Sequence, residues 1–189
     1  MTAAAGDLTT VGAVGTWLGL TTPNDDALIQ TLVTAISAYV PNVLKQGVVQ
    51  QQYVEARKGN GKDRMSLRNW PVQSVALVEL PGGVQISAQT DLMSGVSGVT
   101  TDGEAVYLIN YCFPRGANVR ITYTAGWATV PADIQEAVTE LVAEEYTRRS
   151  HIGENSHSQG GQTTVSFDQK AMHAAIAAML SHYIRVAPL

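Results

Sequence analysis

Apolar and polar residues follow two rhythms along this chain, and the rhythm changes twice. In residues 11–18 and 26–40 the apolar positions return every three or four residues, the period of a helix with one buried side. Val11, Val14, Trp17 and Leu18 make one side of the first segment, Thr9 or Thr10 is its expected cap, and Gly19 ends it. Gly12 and Gly15 weaken its propensity, so packing must hold it. TTPNDD then reads as a loop with a cap at Asn24 or Asp25. Leu28, Ile29, Leu32, Val33, Ile36 and Tyr39 form the apolar face of the second helix, which Pro41 is expected to kink or end.

From Val48 the period shortens to that of strands. Residues 48–57 read as a strand, K-G-N-G-K-D as a Gly-rich turn, and residues 64–72 as the partner strand of a hairpin. Residues 74–80 and 84–87 flank Pro81-Gly82-Gly83, a second hairpin signal, and residues 88–104 read as a Ser/Thr/Gly-rich loop. Residues 105–113 and 119–125 are two further strands joined by Pro114-Arg115-Gly116-Ala117. The helical period returns after Gly126 and Trp127. Pro131 suits a first helical position, Asp133 and Glu136 lie near the helix start, and Arg148 and Arg149 close it, complementing the helix dipole at both ends. Ile134, Val138, Leu141, Val142 and Tyr146 form its stripe, with Ala137 beside it. Residues 150–164 read as a flexible polar loop, and residues 165–167 as a brief extended segment. A last helix opens at Asp168 and carries Met172, Ile176, Met179, Leu180 and Tyr183.

The predicted class is α+β: a small bundle of about four helices with an antiparallel β unit inserted between the second and third. One domain is expected over residues 1–189, with a helical body at about 8–46 and 127–184, a β insertion at about 48–125, and flexible tails. An apolar content of 45% supports a core, while 15% charged residues and 17 glycines suggest a surface partly covered by partners. A net charge of −4 disfavours tight DNA binding by phosphate neutralisation. With one cysteine, Cys112, no intrachain disulfide can form, so a reducing setting is the default. No apolar run is expected to reach the ~18 residues of a membrane span. Residues 1–10 lack the regions of a signal peptide and read as a short mobile tail.

Candidate chemistry is sparse. Gly59-Asn60-Gly61-Lys62 fails as a phosphate loop, because Ala56 stands where the first glycine belongs and Asp63 where Ser or Thr would bind magnesium. It reads instead as a hairpin tip carrying Arg57, Lys58, Lys62, Arg64 and Arg68, diluted by Glu55 and Asp63. That tip is either a solvated turn or a surface touching DNA or an acidic partner. His151, Glu154 and His157, with Glu144 and Glu145 nearby, match no zinc spacing. His173 and His182 are too far apart to share an ion. Cys112 reads as a buried strand residue, and Trp17, Trp70 and Trp127 as core or interface anchors. No nucleophile motif is present, and neither catalysis nor a cofactor is expected.

The stretch VRITYTAGWATVPADIQEAVTELVAEEYTRR closely resembles the head–tail connector (adaptor, head-completion) proteins of tailed bacteriophages. In that family a strand ending Y-x-A-G precedes a V-P-x-x-I helix start and an apolar helix ending in Tyr and basic residues. The matching positions are Tyr123, Ala125, Gly126, Val130, Pro131, Ile134, Tyr146, Arg148 and Arg149. LTTVGAVGTWLGL, with Gly12 where an acidic residue is more usual, agrees in order, as do DDALIQTLVTAISAYV, the N-W-P-V segment from Asn69 and the late TTVSF. The resemblance implies a non-enzymatic virion protein that forms a ring, usually dodecameric, beneath the portal at the capsid vertex. Such a ring extends the DNA channel without binding DNA specifically and offers a platform to the next tail component. It implies a virion location, reached from the host cytoplasm during assembly, and no membrane partner. Another neck or tail-completion protein, or a DNA-binding accessory factor, are the alternative readings.

Overall fold

A computed structural model describes residues 6–89, 95–149, 156–159, 163–166 and 174–184. The described residues fall into two units, one running through Leu44 together with Val130–Ile184, the other Lys45–Thr129.

The first unit is helical. Helix α1 (Val11–Leu18) is capped by the Thr10 side chain, which accepts from Ala13 N, and ends at Gly19 in the left-handed region at φ +68°. A 3-10 turn, Pro23–Asp25, leads into α2 (Asp26–Leu44). The expected break at Pro41 does not occur. Val40 and Leu44 on either side of it are fully buried, and that burial holds the final turn despite the missing N–H. The buried face of α2 is Ile29, Val33, Ser37, Val40 and Leu44. Leu28, Leu32 and Ile36 are only half-buried, and Tyr39 is 58% exposed, so the face is rotated from the expected one. Residues 23–44 are also long and apolar enough for a membrane span by length and composition, contrary to expectation. Here α2 packs as a bundle helix against α1 and α3.

Helix α3 (Ala132–Arg148) touches α1, α2 and α4 (Ala174–Ser181) and is the unit's centre. It buries Ile134, Ala137, Val138, Thr139, Val142 and Ala143, whereas Leu141 and Tyr146 are half-buried. Pro131 takes the N-cap position, one residue outside the helix. Residues 7–9 are not a mobile tail. Leu8 and Thr9 are buried, Leu8 N donates to Ser37 Oγ at 2.9 Å, and Thr9 and Thr139 hydroxyls meet at 2.6 Å. Residues 1–5 lie outside the description. Strand β8 (Ser156–Gln159) lies within the expected loop after α3 and pairs as a hairpin with β9 (Thr163–Ser166), which overlaps the expected extended segment. Asp168, Met172 and the predicted start of the last helix lie outside the described residues; Ile176 and Leu180 are buried as that helix's stripe requires.

The second unit is all β. Strands β1 (Gln51–Lys58), β7 (Asn118–Ala125), β3 (Val72–Leu80) and β4 (Val84–Ser87) form one antiparallel sheet in the order β1-β7-β3-β4. Strands β2 (Arg64–Ser66), β6 (Ala105–Ile109) and β5 (Gly98–Thr101) form another in the order β2-β6-β5. Val75, Val78 and Ile121 from the first sheet share one core with Met65, Val99 and Val106 from the second. The Pro81-Gly82-Gly83 hairpin forms as predicted, both glycines adopting positive φ.

Three strand expectations fail. The first predicted hairpin does not exist, because β1 pairs along its whole length with β7 while the short β2 joins β6. Eight register pairs are available to β1 on β7, against a three-residue β2. The strands at 105–109 and 118–125 lie in different sheets. The expected 88–104 loop contains β5, where Val99 is buried. An α+β chain with strands between its second and third helices is nevertheless what the structure shows.

Candidate functional site

The basic cluster begins on β1, where polar residues take the half-buried side. Along β1 the outward-facing Val54 is 64% exposed, while Tyr53, Glu55 and Arg57 turn to the half-buried side. Those inward polar groups are tied down. Tyr123, fully buried in the middle of β7, donates its hydroxyl proton to Glu55 Oε2 at 2.7 Å and accepts from Asn69 Nδ2 at 3.2 Å. Burial, then the hydrogen bond to Glu55, pushes the Tyr123 phenol well above its usual range. Glu55 also accepts from Arg68 N at 3.2 Å and pairs with Arg57 at 3.4 Å, and Arg57 donates to the Ser66 carbonyl. The Asn69 of the N-W-P-V segment therefore serves the buried network, and Trp70 packs edge-on to Trp127 with centroids 5.3 Å apart.

After β1 the chain does not fold back on itself. Gly59 N donates to Ala117 O, Gly116 N to Gly59 O, Gly61 N to Phe113 O, and Phe113 N to Lys62 O. A Cβ at Gly59 would lie 2.1 Å from the Pro114 carbonyl oxygen, so only glycine allows this approach. The tip is thus bound to residues 113–117 instead of projecting freely.

Around this seam a shallow depression of about 260 Å³ is lined by Arg57, Lys58, Asn60, Lys62, Arg64, Met65 and Ser66. Four of the five predicted basic residues are brought together. Arg68 does not line the depression. Arg64 lies over the Tyr107 ring at 5.5 Å, and Tyr107 in turn donates to Asp102 Oδ2 at 2.6 Å. That bond, with the Ala105 backbone N–H, holds the Asp102 carboxyl at about 2. Arg115, 54 positions after Gly61, flanks that glycine; no local pattern in the sequence announces it.

The family-like positions fall into both units and do different work. Ala125 is buried between β1 and β3. Gly126, at φ +100°, donates to Pro71 O, and a Cβ there would meet the Val49 and Val48 carbonyl oxygens at 2.8 and 2.9 Å. In the helical unit Val130 O accepts from Gln135 Nε2 at 2.7 Å, Pro131 stands at the N-cap of α3 and Ile134 is fully buried. Tyr146 donates its hydroxyl to Asp25 Oδ2, and Arg149 reaches the same oxygen at 3.4 Å while lying over the Tyr146 ring at 4.4 Å. The end of α3 is thereby clamped to the start of α2. The bond to Asp25 raises the Tyr146 pKa. Arg148 instead pairs with Glu144 and Glu145 on its own helix. Asp25, Glu55 and Asn69 are the partners that sequence reasoning missed as such.

Cys112 is exposed and outside any strand, correcting its placement as buried. Trp17 is 54% exposed. His151, Glu154 and His173 lie outside the described residues, as does the His157 side chain, and His182 is exposed. Among the described residues no group of three or more His, Cys, Asp or Glu is placed to hold a metal.

A family model for head completion proteins matches residues 7–186. The fold is similar to chains in the neck of an empty gene transfer agent particle computed with C6 symmetry, at TM-score 0.61 and 21% identity over 100% of this chain and 95% of that one. It is also similar to chains in the neck of a native particle computed with C12 symmetry, at TM-score 0.56 and 19% identity over 97% and 96%. The virion of a native gene transfer agent gives TM-score 0.56 and 20% identity over 100% and 95%. No curated protein matches the chain in sequence.

Proposed function

The chain belongs to the head completion protein family, and from that membership we propose that it is a structural virion protein of the neck, joining head to tail. The observation that carries this is the extent of the family match, residues 7–186, which takes in both units. On this reading the chain forms a ring beneath the portal that extends the DNA channel, with twelve copies as the expected number. The likeness over the full chain to neck chains solved with sixfold and twelvefold symmetry supports a ring. The portal protein above, a tail or neck protein below, and passing DNA are its partners, and it is present in the host cytoplasm before joining the virion. A net charge of −4 favours passage of DNA without adhesion. Its work is structural, not catalytic. The family-motif residues maintain the two units, and Arg57, Lys58, Lys62, Arg64 and Arg68 are its candidate contact residues.

Disrupting the gene in the cell that produces the particle tests this reading. DNA-containing heads without tails, restored by supplying the chain in trans, are the expected outcome. Normal tailed particles in its absence overturn it.

A further inference from the structure

Charge is segregated along this chain. Lys45–Thr129 holds eight of the twelve Lys and Arg but six of the sixteen Asp and Glu, a net charge of +2, whereas the remainder holds four and ten, a net charge of −6. On the β unit the positive surplus converges on the depression, where Lys58, Lys62 and Arg64 are exposed and make no ion pair among the described residues. On the helical unit the negative surplus follows α3. Asp133, Glu136, Glu140 and Glu144 recur at intervals of three and four residues and so form one ridge. Asp133 accepts from the Tyr183 hydroxyl and Glu144 pairs with Arg148. Glu136 and Glu140 make no ion pair or hydrogen bond among the described residues. Like charges at i and i+4 destabilise a helix unless a cation answers them.

We propose that the basic depression of one copy receives the acidic α3 ridge of the next copy of this chain. This rests on the ring reading and names the contact that would orient it. Two different surfaces meet, so each copy offers one and receives one, and the association has a direction that can close into a ring. Such complementarity supplies orientation and association rate more than affinity. Duplex DNA is the weaker occupant, because Glu55 and Asp63 stand among the cations and the rest of the chain is net −6.

The test uses two charge-reversed full-length chains, one Lys62→Glu with Arg64→Glu, the other Glu136→Lys with Glu140→Lys, followed by sedimentation at ~50 mM and ~500 mM salt. The wild-type chain should self-associate at low salt and do so at least ~tenfold more weakly at high salt. Each reversed chain alone should be monomeric. Their equimolar mixture should recover association, because the two reversed surfaces match each other and the two natural surfaces still match. If a reversed chain fails to fold, the corresponding Gln variants should weaken association without rescue on mixing. A wild-type monomer at low salt, reversed chains that assemble like wild type, or a mixture that does not recover overturns the proposal. Loss of duplex DNA binding with assembly unchanged also overturns it and assigns the depression to nucleic acid. Reversed chains that still complete tailed particles reject this contact and leave the head–tail function standing, whereas tailed particles formed without the chain reject that function itself.

Discussion

Two tyrosines, one in each unit, donate to a carboxylate in different surroundings. Tyr146, half-buried at the end of α3, reaches Asp25 with Arg149 stacked alongside, where water can replace any lost partner. Tyr123 is fully buried in β7 and holds Glu55 and Asn69 around a hydroxyl that water does not reach. The helical unit is secured chiefly by apolar stripes meeting on α3, with the buried Thr9–Thr139 and Leu8–Ser37 hydrogen bonds beside them. The β unit depends on polar groups turned inward and on backbone approaches that admit no side chain. A polar contact matters in proportion to what replaces it once broken.

The strongest way to break this contrast is through backbone approach. Gly126→Ala should cost the β unit about 4 kcal/mol, combining ~1–3 kcal/mol of strain at positive φ with displacement of the Val48 and Val49 carbonyls. Urea denaturation followed by Trp fluorescence measures it, and a loss under ~1 kcal/mol would refute the close approach. Ile134→Ala, which empties the fully buried start of the α3 stripe, should cost ~3 kcal/mol in the same measurement.

Tyr123→Phe should cost ~2 kcal/mol, because Glu55 and Asn69 lose their shared partner inside the protein. Tyr146→Phe should shift the urea midpoint far less than Tyr123→Phe, in line with exposed charged contacts. Equal losses at the two positions would erase the distinction between the units.

Titration gives the smallest effects, with one group in each unit that can be read separately. Asp102, in the β unit, is held down at about 2 by the Tyr107 hydroxyl and backbone N–H groups. Its contribution is complete above its ordinary 3.8 and is lost as pH falls toward 2. Tyr183, in the helical unit, is pushed up to about 12 by burial and by donation to Asp133. Its contribution is complete below 10 and is lost as pH rises toward 12. Asp102→Asn should flatten the acid limb of the denaturation midpoint against pH, and Tyr183→Phe the alkaline limb.

Much of the helical unit was legible in residue order. The Thr10 cap, the Gly19 stop and the Ile134–Val142 stripe of α3 are local, because a helix closes its hydrogen bonds within one turn. Pro41 shows where local reasoning ends, since burial of Val40 and Leu44 outweighs one missing N–H. In the β unit the strands were mostly visible but their partners were not. Gln51–Lys58 looked like half of a local hairpin and is paired with Asn118–Ala125 instead. Which residues of β1 face solvent was likewise set by the fold, with Val54 exposed and Glu55 half-buried. The basic cluster was visible as residues, but its separation from Arg68 was not.

The sequence by itself determined the α+β order, the presence of the helices, most of the inserted strands and the family pattern from Tyr123 to Arg149, because these depend on periodicity, caps and turn chemistry over a few residues. Tertiary structure alone decided which strands pair, why Gly59 and Gly126 must be glycine, and which cations share a surface. Those outcomes depend on contacts between segments some sixty residues apart, such as Glu55 with Tyr123, whose alignment no local period encodes.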